Sequence, residues 1–207
     1  MLNLEKNFFR KRILIYGLGK SGLSTYSFLK KSNVISLFDD RIIAKKKIKD
    51  THTTYKEIIK KEFDCIIISP GIDINKCKLS RFLKKNHKKI NTDLDIFYSR
   101  YAFNQKITIT GTNGKSTTAK LLYDVLKDQK KDVRLVGNIG NPILLEKKIK
   151  KDTIFVIEAS SYQLEYSRLF KTNISIILNI TPDHLERHKT ISAVSYTHLT
   201  LPTNREV

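Results

Sequence analysis

The chain has 207 residues, 40% hydrophobic and 29% charged. That is a globular composition with room for one large domain or two small ones, and it excludes a disordered polypeptide. The net charge of +19 would attract anions, but lysine pairs such as Lys60-Lys61, Lys88-Lys89 and Lys130-Lys131 run along the whole chain. They do not gather with aromatics on one element, so they read as solvated surface and no nucleic-acid partner is expected.

Residues 12–16 (RILIY) predict a short buried strand, followed by a glycine-rich turn at 17–22 and a helix to about residue 31. Residues 34–38 predict a second strand ending at Asp39-Asp40. Residues 64–69 predict a third, stopped by Pro70-Gly71. Cys65 lies within the run Cys65-Ile66-Ile67-Ile68 and reads as a buried strand residue. The two cysteines make no disulfide framework, which suits a reducing, cytoplasmic compartment. A helix is expected over 91–103. A second series then begins, with a strand at 106–110, a glycine-rich loop, a helix over about 115–130 and strands at 132–136, 153–158 and 174–179. The last two are β-branched and apolar enough to be central. Strands alternating with helices predict an α/β fold on parallel sheets. A boundary near 102–105 divides it into a Rossmann-like unit, residues 1–103, and a P-loop-type unit, residues 104–194. Residues 195–207 lose the pattern and read as an atypical tail, either non-native or a divergent loop. No apolar stretch approaches the ~18 residues of a membrane span, and the N-terminus lacks the apolar core of a signal peptide.

Four motifs carry chemistry. Gly17-Leu18-Gly19-Lys20-Ser21-Gly22 is G-x-G-x-x-G between a strand and a helix, with Asp39 closing the next strand. Its glycines permit a tight turn and close backbone approach, and the helix start offers N–H groups to a phosphate. The pattern fits a dinucleotide such as NAD or a UDP-sugar; alternatively the glycines serve only the turn. Thr110-Gly111-Thr112-Asn113-Gly114-Lys115-Ser116-Thr117 also joins a strand to a helix. Its Gly-Lys-Ser core suits a P-loop, in which backbone N–H groups cradle phosphates, lysine reaches the β/γ phosphates and serine binds Mg²⁺. The generic pattern wants a glycine where Ile109 stands, so the loop is a variant. Glu158-Ala159-Ser160-Ser161-Tyr162-Gln163-Leu164 puts a carboxylate at a strand's carboxyl end, where a metal beside a P-loop would sit, although a plain strand-end glutamate is the commoner case. In Asn179-Ile180-Thr181-Pro182-Asp183-His184-Leu185-Glu186-Arg187-His188 the paired histidines suggest zinc, but Leu185 stands where a metalloprotease needs glutamate. A Mg²⁺ or Mn²⁺ role for His184 beside phosphate fits better, a structural histidine being the alternative.

Together these segments resemble the Mur ligase family. Gly111 to Thr117 is similar to its G-T-N/H-G-K-S/T-T loop, and Val136-Gly137-Asn138-Ile139-Gly140 to its G-N-I-G turn. Glu158 to Leu164 is similar to E-x-S-S-F/Y-Q-L, and Asn179 to His188 to N-x-x-x-D-H-L-x-R-H. Order and spacing agree over residues 1 to about 194. The N-terminal glycine turn and the Gly-Lys-Ser-Thr loop end look most like the D-glutamate-adding branch. The resemblance implies an ATP- and Mg²⁺-dependent ligase of peptidoglycan precursor synthesis, cytoplasmic and monomeric, joining D-glutamate to UDP-N-acetylmuramoyl-L-alanine through an acyl phosphate. It implies ATP binding by Gly111, Thr112, Asn113, Gly114, Lys115, Ser116 and Thr117, with Lys115 holding the phosphates. It implies a first Mg²⁺ on Ser116 and Glu158 and a second on His184. Asn138 would meet the substrate near its reacting end, and Ser160 would also bind substrate. Leu18, Gly19, Lys20, Ser21, Asp39, Asp40, Arg41 and Gly71 would hold the UDP moiety; the family often has Thr where Asp40 stands.

The sequence departs from the family after Lys189, where no lysine follows to supply the carbamylated metal ligand. The family's third domain and the rest of its central sheet are also not found. The chain is therefore expected to be truncated, with little or no turnover. Rival readings are an NAD-dependent oxidoreductase on the first glycine turn, a nucleic-acid-binding module and a non-catalytic UDP-sugar-binding remnant.

Overall fold

The computed structural model describes residues 7–41, 52–181 and 190. The chain divides into two compact units, Met1–Arg100 and Tyr101–Val207. The division falls slightly before the region expected from the sequence.

The first unit runs β1 (Arg12–Tyr16), α1 (Lys20–Leu29), β2 (Val34–Phe38), α2 (Tyr55–Ile58), β3 (Cys65–Ile68), α3 (Ser80–Lys85), β4 (Ile90–Asn91) and α4 (Asp93–Arg100). Its four strands lie in the order β2-β1-β3-β4, and every pair is parallel. A strand covered on both faces has no polar side to show, so it reads as a continuous apolar run. Ile13, Leu14, Ile15 and Tyr16 of β1 are fully buried, as is most of β3. The chain passes from β1 to β2 on one side and to β3 on the other. The order therefore reverses at β1/β3, and the carboxyl ends of strands at such a reversal are where open α/β sheets take their ligands. Gly17 lies at the end of β1 and Ser69 at the end of β3, with the Ser69 Oγ donating to the Gly17 carbonyl at 2.8 Å. The helix α1 can start there only because two glycines leave room. A Cβ on Gly22 would stand 1.8 Å from the Gly17 carbonyl oxygen, and Gly17 itself has φ +93. At the far edge, α4 is buried from Asp93 through Ser99, and the Asp95 carboxylate accepts from the Thr92 N–H at 2.8 Å at the helix start.

The second unit runs β5 (Lys106–Thr110), α5 (Lys115–Asp128), β6 (Val133–Gly137), β7 (Ile154–Glu158), α6 (Ser161–Leu164) and β8 (Ile174–Ile177). The sheet order is β6-β7-β5-β8, again parallel throughout. Ile107, Ile109, Val133, Val156 and Ala119 of α5 form its core, with Leu122 and Leu126 packed against them. Lys106 at the start of β5 is also fully buried; its ammonium donates to the Ala102 carbonyl at 3.0 Å and the Asn104 carbonyl at 2.5 Å. Burial lowers its pKa to about 8.

Two expectations need correction. Of the strands expected to be central, Ile154–Glu158 is, but Ile174–Ile177 lies at an edge of the sheet among the described residues, with Ile174 45% exposed. Apolar, β-branched composition records a tendency to be buried, not a place in the strand order. The helix expected over 91–103 begins at Asp93, because Asn91 pairs with Ile67 in β4.

Candidate functional site

In the second unit the loop between β5 and α5 carries two left-handed glycines, Gly111 at φ +130 and Gly114 at φ +83. The first helical hydrogen bond of α5 runs from Thr118 N–H to the Gly114 carbonyl at 3.0 Å. The N–H groups of Lys115, Ser116 and Thr117 thus have no acceptor within the helix. With no acidic residue in that first turn, the helix end is a positive, donor-rich cradle. The Lys115 ammonium folds back and donates to the carbonyls of Gly111 at 2.8 Å and Thr112 at 2.7 Å.

Three residues far apart in sequence meet beside this cradle. Glu158, at the carboxyl end of β7, is 1% exposed. The Ser116 hydroxyl donates to one of its carboxylate oxygens at 2.9 Å, and the Asn138 amide donates to the other at 2.9 Å. Asn138 reaches it because Gly137, at φ +109, lets the end of β6 come close; a Cβ there would lie 2.2 Å from the Glu158 carbonyl oxygen. A carboxylate and a hydroxyl beside a phosphate-binding loop are the hard oxygen donors that Mg²⁺ takes, completing its shell from phosphate and water. The residues therefore fit that ion. Among the described residues no cluster of three or more His, Cys, Asp or Glu could hold a metal unaided.

The far side of the loop rests on the end of β8. The Asn179 side chain accepts from the Asn113 N–H at 2.9 Å and donates to the Asn113 carbonyl at 3.1 Å. The Thr112 N–H donates to the Asn179 carbonyl at 3.1 Å, and the Thr112 hydroxyl accepts from the Thr181 N–H at 3.0 Å. Ser160 has a local partner: it is the N-cap of α6, exchanging hydrogen bonds with Gln163 in a capping box. His184 lies outside the described residues.

In the first unit Asp39 organises the glycine turn. One carboxylate oxygen accepts from the Leu18 N–H at 2.6 Å and the other from the Arg41 N–H at 2.8 Å. Asp40 accepts from the Tyr16 hydroxyl at 2.7 Å, and its carbonyl accepts from the Lys78 ammonium at 3.2 Å. Burial of that hydroxyl raises the Tyr16 pKa above the usual phenol range. Ser21 donates to the Asp93 carboxylate at 2.6 Å, and burial raises the Asp93 pKa above the ordinary carboxyl value. Gly19 and Lys20 are exposed on the turn, and a Cβ on Gly71 would meet no atom within 4 Å, so that position faces open space. Sequence reasoning does not single out Tyr16, Ser69, Asp93 or the side chain of Asn179 as partners. The one local signal is the start of α4, where an aspartate is a common helix-initiating residue.

One β/α unit has a glycine turn at a sheet switch point and the other a Gly-Lys-Ser loop beside a strand-end carboxylate, which is the architecture of nucleotide-binding α/β proteins. "Mur ligase MurD-like, N-terminal domain" matches residues 11–91 and "Mur ligase middle domain" matches residues 109–205. The chain belongs to the Mur ligase family. The second match runs through most of residues 195–207, which the sequence pattern alone sets apart from the fold. The chain is 37% identical over 195 residues to the UDP-N-acetylmuramoylalanine--D-glutamate ligase of Caldicellulosiruptor bescii, covering 87% of this chain and 42% of that one. It is 36% identical over 217 residues to the same-named ligase of Wolbachia pipientis wMel, covering 100% of this chain and 41% of that one. It thus spans about two fifths of the length of these curated relatives. Among solved structures, the UDP-N-acetylmuramate:L-alanyl-gamma-D-glutamyl-meso-diaminopimelate ligase from Neisseria meningitides superposes with TM-score 0.56 at 14% identity, over 91% of this chain and 66% of that one. That likeness concerns the fold alone, and it bears out the expectation of two α/β units on parallel sheets.

Proposed function

We propose that the chain carries the UDP-substrate-binding and ATP-binding units of a cytoplasmic ligase that adds D-glutamate to UDP-N-acetylmuramoyl-L-alanine in peptidoglycan precursor synthesis. The observation that carries the reading is the meeting of Ser116, Asn138 and Glu158 beside the donor-rich start of α5. The curated D-glutamate ligases to which the chain is similar support the choice of substrates.

In the proposed reaction the alanyl carboxylate attacks the γ-phosphorus of ATP and ADP leaves. The D-glutamate amine then attacks the acyl carbon of the resulting acyl phosphate, releasing inorganic phosphate and a proton as the amide forms. Such chemistry needs positioning and charge neutralisation more than a strong nucleophile. Lys115 would exchange its two loop carbonyls for phosphate oxygens. Ser116 and Glu158 would hold Mg²⁺, which when bound offsets the charge of the phosphates. Asn138, fixed against Glu158, would orient the substrate's reacting end, and His184 would serve a second Mg²⁺. Asp39 would fix the glycine turn of the first unit around the UDP moiety. The protein is proposed to act as a monomer.

Calorimetric titration of the chain with ATP tests the second unit. Saturable binding that disappears when Mg²⁺ is chelated is the expected result. Saturable binding of NAD with none of ATP would overturn the proposal in favour of a dinucleotide enzyme.

A further inference from the structure

We infer that Asn179 is a positioning residue of the phosphate loop, setting its shape before any nucleotide arrives; the inference rests on the ATP-binding reading above. A loop that cradles phosphates by its backbone must hold its N–H groups in one arrangement, since freezing them only on binding would subtract from affinity. The left-handed glycines supply the necessary bends but also loosen the chain around them. The sequence between them, Thr112-Asn113, has no helix or strand of its own to fix it.

Asn179 meets this segment on three sides. Its carboxamide closes a paired contact on Asn113, accepting from the N–H at 2.9 Å and donating to the carbonyl at 3.1 Å. Its own carbonyl takes the Thr112 N–H at 3.1 Å. Its backbone lies so close to Gly111 that a Cβ there would stand 2.9 Å from the Asn179 carbonyl oxygen. Leu178, one residue earlier, donates from its N–H to the Thr110 carbonyl at 3.1 Å and continues the β5/β8 ladder to the staple. The loop is thus tied to a neighbouring strand at the residue where β5 ends.

Because the Asn113 N–H already has an acceptor, phosphate is left to other donors of the loop and helix start, among them the N–H groups of Lys115, Ser116 and Thr117 and the Lys115 ammonium. Only a side chain with a donor and an acceptor on one short planar group can serve both Asn113 atoms, which accounts for an asparagine at position 179.

The test compares the unmutated chain with Asn179→Ala, by ATP·Mg²⁺ titration and by amide hydrogen exchange. Losing the two side-chain contacts is expected to weaken ATP binding about tenfold and to speed exchange of the Asn113 amide. The Leu178 amide is expected to keep its protection, a control that general damage to β8 would not pass. Should Asn179→Ala fail to fold, Asn179→Ser keeps a polar strand end but is too short to span both Asn113 atoms, and the same two shifts are expected. ATP affinity within about twofold of the unmutated chain, or unchanged Asn113 exchange, would overturn the inference. Failure of the unmutated chain to bind ATP would overturn the underlying reading instead, and is seen separately.

Discussion

Glu158 holds a buried charge between two neutral donors, Ser116 and Asn138, so its stability and its function can be separated. A glutamine can make both contacts, accepting from the Asn138 amide and donating to the Ser116 hydroxyl. We therefore expect Glu158→Gln to change stability by less than about 1 kcal/mol, yet to weaken Mg²⁺-dependent ATP binding about tenfold or more. Unfolding in urea and titration with ATP read the two effects independently; an unchanged affinity would remove Glu158 from the metal's shell. The placing of Glu158 beside the P-loop was legible in the sequence, because both stand at the carboxyl end of a predicted strand; the Asn138 contact to Glu158 was not. Other pairings were not legible either. Tyr16 with Asp40 and Ser21 with Asp93 are contacts between residues with no shared local pattern. Ser160 carries a second readable signal, since Ser-x-x-Gln ahead of an apolar residue is a capping box, and its side chain accepts there from the Gln163 N–H.

Elements depend on a few positions where only one residue type fits. Gly22 lets α1 begin against the turn that ends β1, and a methyl there would press on backbone, not on a yielding side chain. Gly22→Ala is expected to destabilise the fold by about 2 kcal/mol or more. Gly19→Ala, whose Cβ would meet nothing within 4 Å, serves as the comparison and should do far less. Urea unfolding of both variants checks this, and equal effects would remove steric fit as the cause. Lys106 gives β5 a pH dependence. Its folded pKa of about 8 lies below the ordinary 10.5, so above pH 8 the unfolded chain holds the extra proton. Stability should therefore rise with pH between those values and be flat below them. Lys106→Met should abolish the rise, as measured by unfolding at about pH 7 and about pH 9.5. The long apolar strands were readable because burial on both faces leaves an uninterrupted hydrophobic run. The two-residue β4 and the short helices α2 and α3 are too brief to show a period, and β4 follows the lysine-rich His87-Lys88-Lys89.

The whole chain combines two β/α units, each with its own parallel sheet. Alternation of strand and helix made this organisation readable; which strand neighbours which was not, because the order depends on crossovers that leave no local trace. If each unit holds the ligand proposed for it, UDP-N-acetylmuramoyl-L-alanine should slow amide exchange around β1 to β3, and ATP·Mg²⁺ around β5 and β7. At about 100 times its Kd, ATP should add about 2.7 kcal/mol to the stability of the state that binds it. Protection by ATP confined to the first unit would reverse the assignment of the two sites.

The most direct measurement is calorimetric titration of the folded chain with UDP-N-acetylmuramoyl-L-alanine, alongside Asp39→Ala. Asp39 braces the turn through the N–H groups of Leu18 and Arg41, so saturable binding by the unmutated chain and its loss in the variant are predicted. No binding by the folded, unmutated chain, or undiminished binding by Asp39→Ala, would contradict the account.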